Sequence, residues 1–259
     1  MAIDNETTEI PIGSEAYVAS QLAERFTVEA TGLTAEQLTQ QLAQDIQAVH
    51  QDEVTVVSLI GGAASGKTTL SGMIAESLTS LGLIADRIST DDYVVGDRAY
   101  RREHFEGKEP RAKYDFELMN QKIKQIRQRQ PVGVPTYNEQ TGEAIGIGEE
   151  NFSHNIDHVD VLIVEGDFPE VDTPDLRIFL HVSDEARLQA RRDRDITTRS
   201  EVDDAKIVEN FNLRQRTQHF PITLPAIDTA DIAVEGRHDN GDRRFDVYRA
   251  SDKTSQSAE

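Results

Sequence analysis

Nine consecutive residues decide how this chain folds: Gly61-Gly62-Ala63-Ala64-Ser65-Gly66-Lys67-Thr68-Thr69. They follow VTVVSLI, a run of apolar and β-branched residues that is typical of a buried strand. After them, apolar residues recur at helical spacing until Gly82, which predicts an amphipathic helix that ends there. Another strand is expected at residues 83–90. The segment therefore predicts a β-α-β unit, and with it a parallel sheet.

The spacing of Gly61, Gly66, Lys67 and Thr68 matches the phosphate-binding loop pattern GxxxxGK[ST]. Small residues let successive backbone N–H groups turn toward a phosphate, and the following helix directs its positive end at the same charge. Lys67 supplies a cation for the β- and γ-phosphates, and the Thr68 hydroxyl can bind Mg²⁺. Residues 61–69 are therefore predicted to bind a nucleoside triphosphate.

Three classes of protein use such a loop: small-molecule kinases, GTPase switches, and motor or remodelling ATPases. A GTPase should also carry DxxG and NKxD segments, and neither occurs in this sequence. A motor ATPase usually ends its second acidic strand with Asp-Glu, where the glutamate activates water. Here the apolar run VLIV is followed by Glu165-Gly166, a single carboxylate that suits Mg²⁺ positioning or is a solvated strand end. The pattern favours a small-molecule kinase.

A pair of aspartates, Asp91 and Asp92, ends the strand in ISTDDY. Doubly wound sheets bind ligands beyond the carboxyl ends of their strands. An aspartate in that position can accept the proton of a hydroxyl that attacks the γ-phosphate. Because neighbouring strand residues face opposite sides, only one of the two is expected to reach the acceptor. Asp92 could be the inward one, and the alternative for the pair is a turn or helix cap.

Five segments, STDDY, KYDF, VPTYN, VEGDF and RDITTR, occur in the order of the corresponding segments of the uridine kinase/phosphoribulokinase family, which includes bacterial pantothenate kinases. The sequence resembles this family from about Val54 to Val234. The resemblance implies an α/β fold, a P-loop NTPase with a doubly wound parallel sheet. It also implies transfer of phosphate from ATP, with Mg²⁺, to a hydroxyl of a small metabolite.

The resemblance assigns roles to individual residues. Asp91 takes the place of the general base, and Glu165 that of the acidic residue at the Mg²⁺ site. Asp115, in KYDF, corresponds to an aspartate that holds the acceptor hydroxyls in uridine kinases. Arg194 and Arg199, in RDITTR, match lid arginines that close over the phosphates, where guanidinium groups spread the transition-state charge.

A solvated helix face with acidic partners is the alternative for the arginine group of that segment, which comprises Arg187, Arg191, Arg192, Arg194 and Arg199. A regulatory protein that binds nucleotide without turnover is the alternative of another class. Intact Asp91 and Glu165 argue against that second alternative.

Residues 135–140, PTYNEQ, depart from the uridine kinase pattern. They lack the phenylalanine and the histidine that follow PTY in those enzymes. Tyr137 is still predicted to stack on the acceptor or to hydrogen-bond it, so a nucleoside, a sugar, a sugar phosphate and a pantothenate-like acceptor all stay open. A second arginine group suits an acceptor that already bears a phosphate, or forms a solvated loop: Arg98, Arg101, Arg102 and Arg111.

Three regions are predicted along the chain. Residues 1–52 are polar and helix-prone, with a Thr34/Gln37 capping box, and predict an N-terminal helical extension. Residues 53–235 are predicted to form the P-loop kinase domain, with a hairpin inserted at VGVPTYNEQTGEAIGIG. Residues 236–259 lose periodicity and are predicted to be a polar tail.

The charge of the chain limits its partners. The 259 residues carry a net charge of −20, and such a surface repels nucleic acid and anionic membranes. No apolar run approaches the ~20 residues needed to span a bilayer, and no secretory signal is visible. A cytoplasmic protein with a small-molecule substrate is expected, and a homo-oligomer is possible. Acid-rich, lysine-poor surfaces also occur in proteins that work at high salt.

Overall fold

The computed structural model describes residues 14–146, 154–198, 203–239 and 242–251. Its helices are α1 (Ser14–Arg25), α2 (Ala35–Val49), α3 (Lys67–Ser80), α4 (Arg98–Phe105), α5 (Phe116–Arg127), α6 (Asp184–Thr198) and α7 (Asp204–Arg214). Its strands are β1 (Phe26–Leu33), β2 (Thr55–Gly61), β3 (Ala85–Ser89), β4 (Val132–Val134), β5 (Thr136–Asn138), β6 (Glu143–Ile145), β7 (His154–Ile156), β8 (Val161–Gly166), β9 (Leu176–Val182), β10 (Ile232–Asp239) and β11 (Asp242–Ala250).

A seven-stranded sheet with the order β1-β11-β10-β9-β2-β8-β3 forms the centre of the structure. The strands from β10 to β3 pair in parallel, and β11 and β1 add antiparallel pairs at one edge. From β2 the chain crosses over β8 to reach β3, whereas β9 lies on the other side of β2. The carboxyl end of β2 is therefore a topological switch point, where such sheets bind ligands. The predicted doubly wound α/β fold is confirmed.

Helices cover both faces of the sheet, because successive strand side chains point to opposite sides. On one face, Leu42 of α2 and Ile74 of α3 pack with Leu59 of β2. On the other face, Met119 of α5 packs with Leu162 of β8, and α1 packs beside them near β9. Every residue of β2 is buried, so the strand that carries the phosphate loop is held rigidly from both sides.

The N-terminal region contains a strand that the sequence did not predict. α2 begins with the predicted capping box: the Thr34 hydroxyl accepts a hydrogen bond from the Gln37 N–H, and the Gln37 side chain accepts one from the Thr34 N–H. Residues 26–33, however, form β1 at the edge of the central sheet rather than part of a helical extension. The local pattern is weak, since Phe26 is buried but the next three residues are exposed. Its ladder partner, β11, lies at the other end of the chain.

The prediction of a polar tail from residue 236 was wrong as far as residue 250. β10 continues to Asp239, and β11 pairs with β10 on one side and β1 on the other. Phe245 and Val247 of β11 are buried in the core. Charged residues surround these two apolar positions in DRRFDVYRA, so the strand lacks a strong hydrophobic signal. Residues 252–259 lie outside the described residues.

The predicted hairpin is confirmed as β5 and β6, which pair antiparallel from Thr136 to Ile145. β4 pairs separately with β7. The arginine-rich segment before α5 is not simply a loop, because residues 98–105 form α4. Within the described ranges, no helix is long and apolar enough to cross a membrane.

Candidate active site

The predicted phosphate loop connects β2 to α3 at the switch point. Gly66 precedes the first turn of α3 with a φ of 93°, a left-handed conformation that glycine adopts without strain. A Cβ atom on Gly61 would lie 2.5 Å from the carbonyl oxygen of Leu180 in β9, so no larger residue fits there. The small residues are thus required by the turn and by the packing of β2 against β9. Thr69 is exposed in the first turn of α3.

Lys67 lies folded over the loop and is 7% exposed. Its Nζ donates to the carbonyl oxygens of Gly61 at 2.8 Å and Gly62 at 3.0 Å, and to Asp167 Oδ1 at 3.0 Å. Burial alone would raise the pKa of Asp167, but the charges of Lys67 and Arg214 outweigh burial and lower it. Asp167 is therefore a counter-ion that keeps the lysine at the loop.

Thr68 and Glu165 form the second pair of the cleft. The Thr68 hydroxyl donates to Glu165 Oε1 at 2.9 Å, which joins the start of α3 to the end of β8. Burial raises the pKa of Glu165 above its ordinary value, and the charge of Lys67 opposes this rise. Two hard oxygen donors beside a phosphate loop fit Mg²⁺, which keeps several waters and takes further ligands from phosphate oxygens. Among the described residues, no group of three or more His, Asp or Glu side chains could hold a metal ion. Water and phosphate oxygens would therefore have to complete the coordination of Mg²⁺.

The two adjacent aspartates after β3 have different surroundings. Asp91 lines the cleft together with Lys67 and Glu165, and its Oδ1 accepts a hydrogen bond from the Tyr114 hydroxyl at 3.3 Å. Asp92 points away into the protein. Its Oδ2 accepts from the Ser89 N–H at 2.7 Å, and its Oδ1 accepts from the Tyr137 N–H at 2.8 Å.

Burial raises the pKa of Asp92 to about 6, although both backbone hydrogen bonds favour its charged form. Asp92 thus ties the end of β3 to the hairpin strand β5. Of the two aspartates, Asp91 lines this cleft and Asp92 binds the backbone, while the predicted role of Asp91 as the base stays a prediction.

Tyr137 lines the cleft from β5, and its predicted contact with the acceptor stays a prediction, but Asp115 does not belong to the residues that line the cleft. Asp115 Oδ1 accepts a hydrogen bond from the Leu118 N–H at 2.9 Å and caps the start of α5. The segment KYDF therefore contributes to the cleft through Tyr114 and Lys113. The predicted contact of Asp115 with acceptor hydroxyls stays a prediction, and the structure shows this residue as a helix cap outside the lining of the cleft.

The arginines of α6 divide between the cleft and the interior. Arg194 lines the cleft, and its predicted role at the phosphates stays a prediction, whereas Arg199 lies outside the described residues. Arg187 is only 1% exposed and donates to Asp184 and to Gln215, so a solvated helix face is wrong for it. Arg192 does lie on such a face, where it forms an ion pair with Asp204 at 2.6 Å.

Three further cations line the same cleft: Arg101, Lys113 and Arg214. They come from α4, from the segment before α5, and from the end of α7. Of the second arginine group, only Arg101 lines this cleft. Lys113 and Arg214 belong to no motif that would identify them as cleft residues, so the sequence analysis did not predict them.

Residues 56–241 match the phosphoribulokinase/uridine kinase family. This match spans most of the chain, including every strand and helix that builds the cleft. The chain belongs to this family.

The proteins similar to this member of the phosphoribulokinase/uridine kinase family include bacterial uridine kinases. The chain is 26% identical over 195 residues to the uridine kinase of Borrelia duttonii, covering 72% of this chain and 89% of that enzyme. It is 28% identical over 198 residues to the uridine kinase of Staphylococcus epidermidis, covering 71% and 88%. Among solved structures, a kinase attributed to a fructose transport system of Silicibacter sp. TM1040 superposes with a TM-score of 0.58 at 21% identity, covering 77% of this chain and 96% of that one. The last likeness concerns the fold.

Asp167 is the main residue of the cleft that sequence reasoning missed. It follows Glu165-Gly166 in VEGDF, a segment read only for its glutamate. Its position two residues after a buried strand-end carboxylate is a signal that it reaches the same edge of the sheet. Its partner Lys67 precedes it by 100 residues, however, so the pairing is a product of the parallel pairing of β2 and β8.

Proposed function

We propose that this kinase transfers the γ-phosphate of ATP to a hydroxyl of a small metabolite. The observation that carries the proposal is that Asp91 lines the same cleft as Lys67 and the Thr68–Glu165 pair. A carboxylate base, a phosphate loop and a pair of Mg²⁺ donors then need only a hydroxyl between them. A protein that binds nucleotide without turnover would not need a carboxylate base at the end of β3.

In the proposed reaction the acceptor oxygen attacks the γ-phosphorus, the bond to the β–γ bridging oxygen breaks, and ADP leaves. Asp91 accepts the proton of the attacking hydroxyl, and the hydrogen bond from Tyr114 orients the carboxylate for this step. Lys67 and the backbone N–H groups of residues 61–69 stabilise the charge on the phosphate oxygens. Arg194 adds a guanidinium from α6, which suits a group that closes over the phosphates.

Thr68 and Glu165 are the residues that would hold Mg²⁺, and the ion would neutralise part of the charge on the nucleotide phosphates. Lys67 keeps Asp167 as its partner within the cleft, so its ammonium group is retained beside the loop. A lysine held in this way can exchange its carbonyl partners for phosphate oxygens while staying at the same site.

Uridine is the first acceptor to test, because the bacterial relatives named above are uridine kinases. Residues 138–140, NEQ, lack the phenylalanine and histidine of the uridine kinase pattern. Pentoses, sugar phosphates and pantothenate therefore belong in the same screen.

ADP release with ATP and Mg²⁺ is measured for each acceptor, and ³¹P NMR identifies the phosphorylated product. We expect one acceptor to produce ADP and a phosphate ester in equal amounts. Asp91→Asn should remove this activity while nucleotide binding, measured by calorimetry, persists. Tight ATP binding without product from any acceptor class in the screen would instead support a nucleotide-dependent regulatory protein.

A further inference from the structure

We propose that the acceptor carries an anionic group, a phosphate or a carboxylate, which Lys113 and Arg101 bind beside Asp91. This inference rests on the proposed kinase function and deepens it. It names the class of acceptor from the charge of the cleft rather than from the names of relatives.

The carboxylates that line the cleft already have partners. Asp167 pairs with Lys67 at 3.0 Å, and Glu165 accepts a hydrogen bond from Thr68 at 2.9 Å. Across the described ranges, neither Lys113 nor Arg101 forms an ion pair with any carboxylate. Asp91, the third carboxylate of the cleft, accepts a hydrogen bond from Tyr114, and its charge and that of Asp167 act on Lys113 without an ion-pair contact. An anionic ligand would supply these two cations with a partner in direct contact.

Lys113 is held in a defined position next to the proposed base. Its carbonyl oxygen accepts a hydrogen bond from the Val95 N–H at 2.9 Å. Its Nζ lies 5.2 Å from the ring centroid of Tyr114, and that tyrosine donates its hydroxyl hydrogen bond to Asp91. Burial, reinforced by the charge of Arg214, lowers the pKa of Lys113 to about 8, and the charges of Asp91 and Asp167 oppose this shift only in part.

Arg101 is held by neutral groups that orient it without cancelling its charge. Its Nη1 donates to the carbonyl oxygen of Gly142 at 2.7 Å and to that of Gly96. The first contact ties α4 to the turn of the β5–β6 hairpin, which also carries Tyr137. A guanidinium fixed in this way keeps donors for the oxygens of a phosphate or carboxylate.

The positions of these two cations assign them to the acceptor rather than to ATP. Both come from residues 98–113, the segment that follows Asp91 in the chain and packs beside it. The nucleotide phosphates have their own cations in Lys67, on the loop, and Arg194, on α6. The charge of Lys113 and Arg101 is thus additional charge on the side of the base.

Two other arginines of the same segment provide matched controls. Arg98 also donates to carbonyl oxygens of the hairpin, those of Glu139 and Gln140, but does not line the cleft. Arg111 is exposed and pairs with Glu170 at 2.8 Å. Arg98→Gln therefore tests the loss of a hairpin anchor, and Arg111→Gln tests the loss of one surface charge.

The experiment compares acceptors that differ only in the anionic group: ribose with ribose 5-phosphate, glycerol with glycerate, and uridine as a neutral nucleoside. Steady-state kinetics are measured on the full chain with saturating ATP and Mg²⁺. We expect an anionic member to be the preferred acceptor, and the phosphate and carboxylate arms identify which anion is bound. Lys113→Gln and Arg101→Gln should each lower kcat/KM for that acceptor by about 10- to 100-fold, mainly through KM. The KM for ATP should stay within a few-fold of the wild-type value.

The controls separate three results. If Arg98→Gln and Arg111→Gln keep kcat/KM for the anionic acceptor near the wild-type value, the effect belongs to Lys113 and Arg101 themselves. If a neutral acceptor is phosphorylated best and Lys113→Gln does not change its kinetics, the anionic-acceptor proposal is overturned and the kinase function stands. If ATP binds and no acceptor of any charge is phosphorylated, the kinase function itself fails, and this proposal with it.

Discussion

The nucleotide side and the acceptor side of the cleft are built in different ways. The nucleotide side is formed mainly by residues 61–69, which connect two elements that are adjacent in sequence and in space. The acceptor side brings together Asp91, Arg101, Lys113 and Tyr137 from four separate segments. A contiguous loop carries its function within one stretch of sequence, whereas the acceptor side depends on where the sheet and hairpin direct the chain.

The largest expected effect concerns the two aspartates where the sides meet. Asp91→Asn should lower turnover by about 10²- to 10⁴-fold, because the proposed base is lost. ATP affinity should stay within a few-fold, because the loop and Lys67 are untouched. Steady-state kinetics and ATP calorimetry measure both quantities.

Asp92→Asn is the matched control for this change. An amide offers one oxygen to the Ser89 and Tyr137 N–H groups, which now bind two carboxylate oxygens. We expect a loss of about 1–3 kcal/mol of stability with measurable turnover retained. Full activity in Asp91→Asn together with an inactive Asp92→Asn would show that Asp92, and not Asp91, is the base.

A second prediction separates the lysine of the loop from its counter-ion. Lys67→Ala should lower turnover by about 10²- to 10³-fold, because a cation aimed at the phosphates is removed. It also leaves Asp167 buried without its partner, so the melting temperature should fall. The double variant Lys67→Ala/Asp167→Asn should recover much of the stability but none of the turnover. Recovery of turnover in the double variant would contradict the role given to Lys67.

A third prediction tests the proposed role of Lys113 on the acceptor side through the pH dependence of kcat/KM. The charged form of Lys113 is the one that binds an anion, and its pKa in the free enzyme is lowered to about 8. The kcat/KM for an anionic acceptor should therefore be high below pH 8 and fall about tenfold per pH unit above it. Asp91 and Asp167 are the acidic groups that act on the lysine, and Arg214 and Arg101 are the basic ones.

Lys113→Arg is the control for the pH profile, because arginine stays charged at these pH values. Its kcat/KM for the anionic acceptor should not fall between pH 8 and 9. The same fall in Lys113→Arg would show that another group titrates.

A fourth prediction concerns a residue that is distant in sequence and supports the nucleotide side. Arg243 of β11 donates from Nη2 to the carbonyl oxygen of Ser65 at 2.6 Å, and it lies beyond the end of the family match. Arg243→Ala should weaken ATP binding by about 3- to 10-fold through the loss of one charged hydrogen bond. The neighbouring Arg244, which pairs with Asp242 at 3.3 Å, is the control. Equal weakening by Arg244→Ala would point to a general loss of positive charge.

The smallest expected effect applies to both sides equally. A net charge of −20 should destabilise the fold through self-repulsion in dilute buffer, and added salt should screen that repulsion. We expect the melting temperature to rise by several degrees between low-salt buffer and molar KCl. An unchanged melting temperature would remove the idea of adaptation to high salt and leave the cleft unaffected.

Local sequence was sufficient for those parts of the molecule whose physics is local. The phosphate loop could be predicted because Gly61 and Gly66 meet steric requirements of one turn, and because Lys67 and Thr68 belong to the helix that starts there. The capping box of α2 and the β5–β6 hairpin were predictable for the same reason. The order of five short segments added the register in which Asp91 reaches the cleft and Asp92 does not.

Tertiary structure alone decided which distant residues meet. β1 and β11 pair although they lie at opposite ends of the chain, because the edge of the sheet supplies hydrogen bonds that no short sequence window contains. Asp115 caps a helix and does not line the cleft, because α5 starts directly after it. Lys113, two residues before, faces the cleft because its backbone is bound to the segment that follows Asp91. Electrostatic interactions depend on distance in space and not on separation in sequence. The sequence therefore determined the phosphate loop, and the fold determined which charges surround it.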